Sequence, residues 1–214
     1  MNTQPDPQTF VDPFTLFLGF DWASDHHDVI AVDAAGRVRL DRSIADDAEG
    51  WGQLRRAAIE ERFEHHPDRD IFGSLPGAGR KIAPRLLGEI GTIRQRFSAA
   101  GALQAYAGTA PLTKQSGKSR HVMFRQACNK HLRAAVQFLA DLSRSQCVWA
   151  QVYYQQKRDQ GASHAAALRC LGQRWLKILW KMWQTRTAYD EALHSRNQTQ
   201  HGSWVVSLNQ EATC

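Results

Sequence analysis

At 214 residues, 43% of them apolar, the chain has room for one large or two small domains with a real hydrophobic core. Its net charge of +6 hides an asymmetry: residues 1–70 carry 7 Lys/Arg against 15 Asp/Glu, whereas the remaining 20 basic residues face only 6 acidic ones. No run approaches the ~18 apolar residues of a membrane span, and the polar, Pro-bearing start from Met1 to Pro13 has neither a basic flank nor an apolar signal core.

Residues 1–13 read as a disordered lead-in. Thr15 to Asp21 and His27 to Asp33 read as strands, Ala34-Ala-Gly36 as a turn, and Arg37 to Arg42 as a third strand, which together make an antiparallel meander. Asp46 or Asp47 is placed to cap a helix with Trp51, Leu54, Ala58 and Ile59 on one face, ending near Glu64 before His65-His-Pro-Asp68. Three strands and one helix leave sheet edges uncovered, so this acidic part looks incomplete as a domain.

The basic remainder reads as helical. A short helix through Ile71 and Phe72 leads into a hairpin, Leu75-Pro-Gly-Ala-Gly79, and then a helix from Arg80 to Ile90 with Pro84 near its start. Ser98 is placed to cap a helix holding Leu103 and Tyr106, which ends at Gly108. Thr113 to Phe124 alternates around a Gly turn, as a β-hairpin does. Three helices follow, over Gln126 to Arg144, Cys147 to Asp159, and from a Ser163 cap to Tyr189, with a loose tail from His194. Of the four cysteines, Cys128, Cys147, Cys170 and Cys214, the first three fall in these helices. Without a C-x-x-C pair they read as core thiols of a reduced, bacterial-type cytoplasm rather than zinc ligands.

Three places carry chemistry, each with a plainer reading beside it. Asp21 ends an apolar strand, where a carboxylate either holds a divalent metal or simply opens a turn; Asp25 and Asp28 lie nearby. Gly77 and Gly79 either make a tight turn or gather backbone N–H groups for a phosphate, with Arg80 and Lys81 at the helix start beside them. Ser116 lies between Lys114 and Lys118 beside Gly117, with Arg120 and Arg125 following. That is either a basic turn or a setting in which cations support a serine nucleophile on phosphate. Neither glycine segment is a dinucleotide fingerprint or a P-loop, because Ile82 and Leu112 stand where glycines are required. Trp180 and Trp183 read as core residues of the last long helix more readily than as base-stacking platforms. The basic residues are interleaved with Gly, Ser and Trp rather than strung into a tail, which points to nucleic acid over an ordinary solvated surface.

Taken in order, Phe17-Leu-Gly-Phe-Asp-Trp-Ala23, the Leu75–Gly79 hairpin with Ala83-Pro-Arg-Leu-Leu87, Leu103-Gln-Ala-Tyr-Ala-Gly-Thr-Ala-Pro111, Gln115-Ser-Gly-Lys118 and Trp149-Ala-Gln-Val-Tyr-Tyr154 form a recognisable set. The chain resembles, over residues 16–193, the DEDD-type insertion-sequence transposases of the IS one-ten, IS one-sixteen and IS nine-oh-two family. The resemblance implies an α+β chain: a partial RNase H-like (RuvC-like) ββα fragment over 14–62, a mostly α-helical transposase domain with a helix-hairpin-helix-like element over 63–193, and a flexible tail over 194–214. It implies DNA strand exchange with Mg²⁺, a bridge-type guide RNA, association with itself or with full-length transposase, and a cytoplasmic, nucleoid-associated location. Asp21 then matches the first acid of the DEDD set and Ser116 the serine that bonds to DNA phosphate. The other three acids have no counterpart here. The join falls near Ala58 to Arg62, so the chain reads as an internally shortened copy, impaired alone. The other readings are a non-enzymatic nucleic-acid-binding module, a recombinase that borrows acids from another subunit, and an independent nuclease.

Overall fold

The computed structural model of the protein describes residues 15–202 apart from Lys118; the expected lead-in over 1–13 and the last twelve residues lie outside it. The fold is α+β and divides into two compact units between Pro67 and Asp68.

In the first unit, β1 (Phe17–Trp22), β2 (His26–Val32) and β3 (Val38–Ala45) form the expected antiparallel meander in the order β1-β2-β3. Alternation decides which face is covered. His27, Val29 and Ala31 of β2 are buried, while His26, Asp28 and Ile30 between them are exposed. The buried set joins Leu40, Ile44 and Leu54 in a small core under α1 (Ala48–Glu64). Asp47, one of the two candidate caps, accepts from the Gly50 N–H at 2.7 Å. Gly50 itself lets the helix start lie against β3, since a Cβ there would come 2.1 Å from the Ala45 carbonyl oxygen. Asp33 fixes the β2–β3 turn by accepting from the Ala35 and Arg37 N–H groups and from the Arg37 and Arg39 side chains, all within 3.0 Å. Partial burial opposes its ionisation, but the bonds from Arg37, Arg39 and Ala35 outweigh that and bring its pKa down to about 2.

The second unit is built around α7 (His164–Thr185), whose Leu171, Trp175, Leu176, Leu179 and Trp183 are almost fully buried. Packed on it are α2 (Arg69–Gly73), α4 (Ala100–Tyr106), α5 (Lys130–Ser143) and α6 (Val148–Asp159), with α3 (Gly79–Ile90) against α5. The expected hairpin is present as β4 (Leu112–Ser116) and β5 (Ser119–Met123).

Four boundaries differ from the sequence reading. Helix α5 begins at Lys130 rather than Gln126, because Asn129 leaves helical geometry and caps Leu132. Helix α4 is preceded by Ala99, and Ser98 makes no cap to it. Helix α7 stops at Thr185 because Arg186 turns left-handed at φ 55°, and Tyr189 folds back to donate its N–H to Ser74 Oγ at 2.8 Å. Where a loose tail was expected from His194, the chain forms α8 (Glu191–Gln200), capped by Asp190 accepting from the Leu193 N–H. Cys128 and Cys147 also sit just outside helices rather than in them, although Cys147 is buried and all three described cysteines are free thiols.

Candidate nucleic-acid interface

The antiparallel register sets Asp21 directly across from Asp28, both on exposed positions of the face that α1 leaves bare. The opposite face at this end holds Phe20, Trp22, His27 and Trp51 in mutual ring contact, at centroid separations of 4.6–5.9 Å. His27 Nε2 lies 3.1 Å from Asp46 Oδ1, an ion-pair distance without the alignment of a hydrogen bond. Among the described residues no group of three or more His, Cys, Asp or Glu side chains could hold a metal ion. Two facing carboxylates do not fit a site for two Mg²⁺ ions, which needs oxygens from several elements at once.

The Leu75–Gly79 hairpin joins α2 to α3, and both glycines have the positive φ expected of them, 81° at Gly77 and 48° at Gly79. Their surroundings differ. Gly77 donates its N–H to Gln146 Oε1 at 2.7 Å, and a Cβ there would lie 2.8 Å from Leu142 Cβ and 3.0 Å from the Ser143 nitrogen. Its amide therefore holds the turn against the end of α5 instead of facing an incoming phosphate. Gly79, Arg80 and Lys81 are exposed at the start of α3, the positive end of the helix. The cationic half of this prediction keeps an open surface; the Gly77 half does not.

Ser116 ends β4 and pairs across the strand with Ser119, with Gly117 between them at φ 56°. Ser116 is exposed near the tip of the arm, and Thr113, Gln115 and Gly117 are exposed along it. Lys118 and the side chains of Lys114 and Arg120 lie outside the described residues.

Arg125 is half-buried at the root of the arm, where the structure adds three residues that sequence reasoning passed over. Phe124 follows β5 directly, and the guanidinium carbons of Arg133 on α5 and Arg169 on α7 lie 4.4 Å and 4.6 Å from its ring centre. Arg133 also donates to the Arg125 carbonyl and to Cys128 Sγ. Gly108, with φ 69°, makes the space: a Cβ there would come 2.5 Å from Arg133 Nη2 and 2.7 Å from Cys128 Sγ. The glycine in Leu103–Pro111 was the available signal, since it ends a helix yet leaves no hint of a partner 25 residues onward.

Trp183 serves the core, as read, whereas Trp180 is half-buried at its edge. Trp183 is fully buried and donates to Asp68 Oδ2 at 2.9 Å, and Trp180 donates to the Phe97 carbonyl at 3.0 Å. Burial pushes the Cys147 thiol up to about 12, so it stays protonated at neutral pH.

Residues 69–155 match the family described as Transposase IS116/IS110/IS902. That segment runs from α2 into α6 and holds the glycine hairpin, the Ser116 arm and, at its root, Phe124, Arg125 and Arg133, while Arg169 lies beyond it. This segment of the chain belongs to the IS116/IS110/IS902 transposase family. It is 40% identical over 134 residues to the mini-circle protein for IS117 of Streptomyces coelicolor, covering 63% of this chain and 32% of that one. It is 31% identical over 165 residues to the 42 kDa protein of insertion element IS900 of Mycobacterium paratuberculosis, covering 77% and 39%. Over 155 residues it is 31% identical to the 43.6 kDa protein of IS110 of Streptomyces coelicolor, covering 71% and 38%. The chain thus spans only about a third to two fifths of the curated relatives it matches. Among the described residues no helix is long and apolar enough to cross a membrane.

Proposed function

We propose that this chain is a nucleic-acid-binding member of an insertion-sequence transposition system that does not cut or join DNA alone. The observation that carries the proposal is the exposed Ser116 arm inside the family-matched segment, in a chain where, among the described residues, no metal-binding cluster forms around Asp21. In this reading DNA, and a bridge-type guide RNA, lie against the second unit, with the α2–hairpin–α3 element acting through Arg80 and Lys81. The first unit is a shortened RNase H-like fragment in which Asp21 is the surviving acid. Mg²⁺ chemistry then depends on carboxylates from an intact transposase that associates with this chain in the cytoplasm, at the nucleoid.

The test uses the purified full chain. Affinity for duplex DNA should fall steeply with salt, because binding releases condensed counterions. A supercoiled plasmid carrying matched element ends should stay intact with Mg²⁺ or Mn²⁺, with or without guide RNA. Absence of binding at low salt would sink the binding reading, and nicking that Asp21→Ala removes would sink the claim of inactivity.

A further inference from the structure

We propose that Arg133 and Arg169, with Arg125 beside them, form a phosphate-binding site for a nucleic-acid backbone at the root of the Ser116 arm. The proposal rests on the nucleic-acid reading above and locates it.

Bringing guanidiniums together is unfavourable unless something anionic shares the place. Here Arg133 and Arg169 both lie within 4.6 Å of the centre of the same Phe124 ring. Elsewhere in this unit arginines are given carboxylates: Arg94 has Asp68 and Arg144 has Asp141. Among the described residues no carboxylate forms an ion pair with Arg125, Arg133 or Arg169, and Glu89 accepts instead from the Asn129 side chain. The Nε atoms of Arg125 and Arg133 are buried without a hydrogen-bond acceptor among the described residues. Donors withdrawn from water and left without acceptors mark the place where an outside acceptor is wanted.

The fold builds this arrangement deliberately. Helices α5 and α7 cross so closely that a Cβ on Gly172 would lie 2.7 Å from Val136 Cγ1. Arg133 and Arg169 each stand three residues before that contact, about one turn along their own helices, so the crossing delivers both side chains to one place. Gly108 supplies the bed for Arg133, and Phe124, itself 37% exposed, supplies a ring that supports guanidinium planes while keeping the place open to solvent. Arg169, whose described contact is the ring, keeps its in-plane N–H groups, and their fork matches the paired oxygens of a phosphodiester, whereas Arg133 has Nη2 engaged within the protein and adds chiefly its charge. Five residues separate Phe124 from Ser119, about 17 Å of extended strand, or roughly five base-pair steps of duplex. A backbone held at the root would therefore be steadied within reach of the Ser116 tip.

Arg169 is the residue to test, because its described contact is the ring, whereas Arg133 also braces the chain through Arg125 and Cys128. In the full chain, Arg169→Gln should lower affinity for a fluorescein-labelled duplex about 3- to 10-fold and reduce the slope of log affinity against log salt by about 0.9, one phosphate contact. Arg169→Lys keeps the charge and loses the fork, so it should keep the slope and lose less affinity. Pyrophosphate should raise the melting temperature of the parent chain beyond matched chloride, and Arg169→Gln should abolish the rise. If a folded Arg169→Gln binds DNA with unchanged slope, the site is overturned and the nucleic-acid reading stands. If pyrophosphate stabilises through Arg169 but no DNA binds, the nucleic-acid assignment is overturned.

Discussion

Gly77→Ala separates two uses of the glycine hairpin that the sequence does not distinguish. The substitution puts a Cβ on a residue at φ 81°, which costs about 1–2 kcal/mol for an L-residue in left-handed geometry. The new carbon would also lie 2.8–3.0 Å from Leu142 Cβ, the Leu142 carbonyl carbon and the Ser143 nitrogen. Two of those atoms are helix backbone and cannot move aside, so overpacking adds about 1–3 kcal/mol. The sum, about 2–5 kcal/mol, corresponds to a fall of about 6–15 °C in the melting temperature of a unit this size. Gly79→Ala is the internal control: its φ of 48° is also left-handed, but an added Cβ meets nothing within 4 Å. It should show only the conformational part, about 1–2 kcal/mol. The assay is thermal unfolding followed by circular dichroism, paired with DNA binding measured well below each variant's midpoint. Because the Gly77 N–H already donates to Gln146, the folded variant should bind DNA within about twofold of the parent. Equal destabilisation by the two substitutions would refute the packing argument. Normal stability with lost affinity would return the Gly77 amide to the phosphate.

When an intact relative supplies the acidic site, Ser116→Ala in this chain should abolish any covalent protein–DNA adduct while Ser119→Ala leaves it, as read by denaturing gels of labelled DNA; the reverse pattern would move the nucleophile to Ser119. Asp33 ionises more readily in the folded chain, with a pKa lowered from 3.8 to about 2, so its contribution to stability is present above pH 4 and lost as pH falls from about 4 to about 2. In acid unfolding curves over that window, Asp33→Asn should flatten the fall in stability of the first unit, and an unchanged curve would mean the turn does not depend on that charge.

Local patterns carried much of the fold. The β1–β3 meander follows from period-two alternation around Ala34-Ala-Gly36, and the Ser116 arm from alternation around Gly117, because both depend on residues close in sequence. Long-range partners decided the rest. The apolar spacing of α7 continues in register toward Tyr189, but Tyr189 is recruited by Ser74 Oγ, 115 residues away, and by the Trp149 indole N–H, so the helix ends early. Helix α8 was hidden for the opposite reason: Glu191 to Gln200 has no buried face, leaving only the Asp190 cap and the acidic first turn as signs of its start.

The charge balance after residue 70 pointed to a polyanion partner but not to a place for it, since the sign of a residue says nothing about who neutralises it. Asp68 and Asp141 satisfy Arg94 and Arg144, which removes those cations from the candidate surface although they looked equivalent in the sequence. Arg133 and Arg169 reach the same Phe124 ring where Gly172 lets α5 and α7 approach and Gly108 leaves room for Arg133; a methyl group at either glycine would force a neighbouring side chain to shift. A larger residue at Gly172 would push α7 from α5 and carry Arg169 away from Phe124 without altering the net charge. Affinity that tracked charge alone would survive such a change. Affinity built on convergent guanidiniums would not, so the positions that locate binding on this surface include glycines that bear no charge at all.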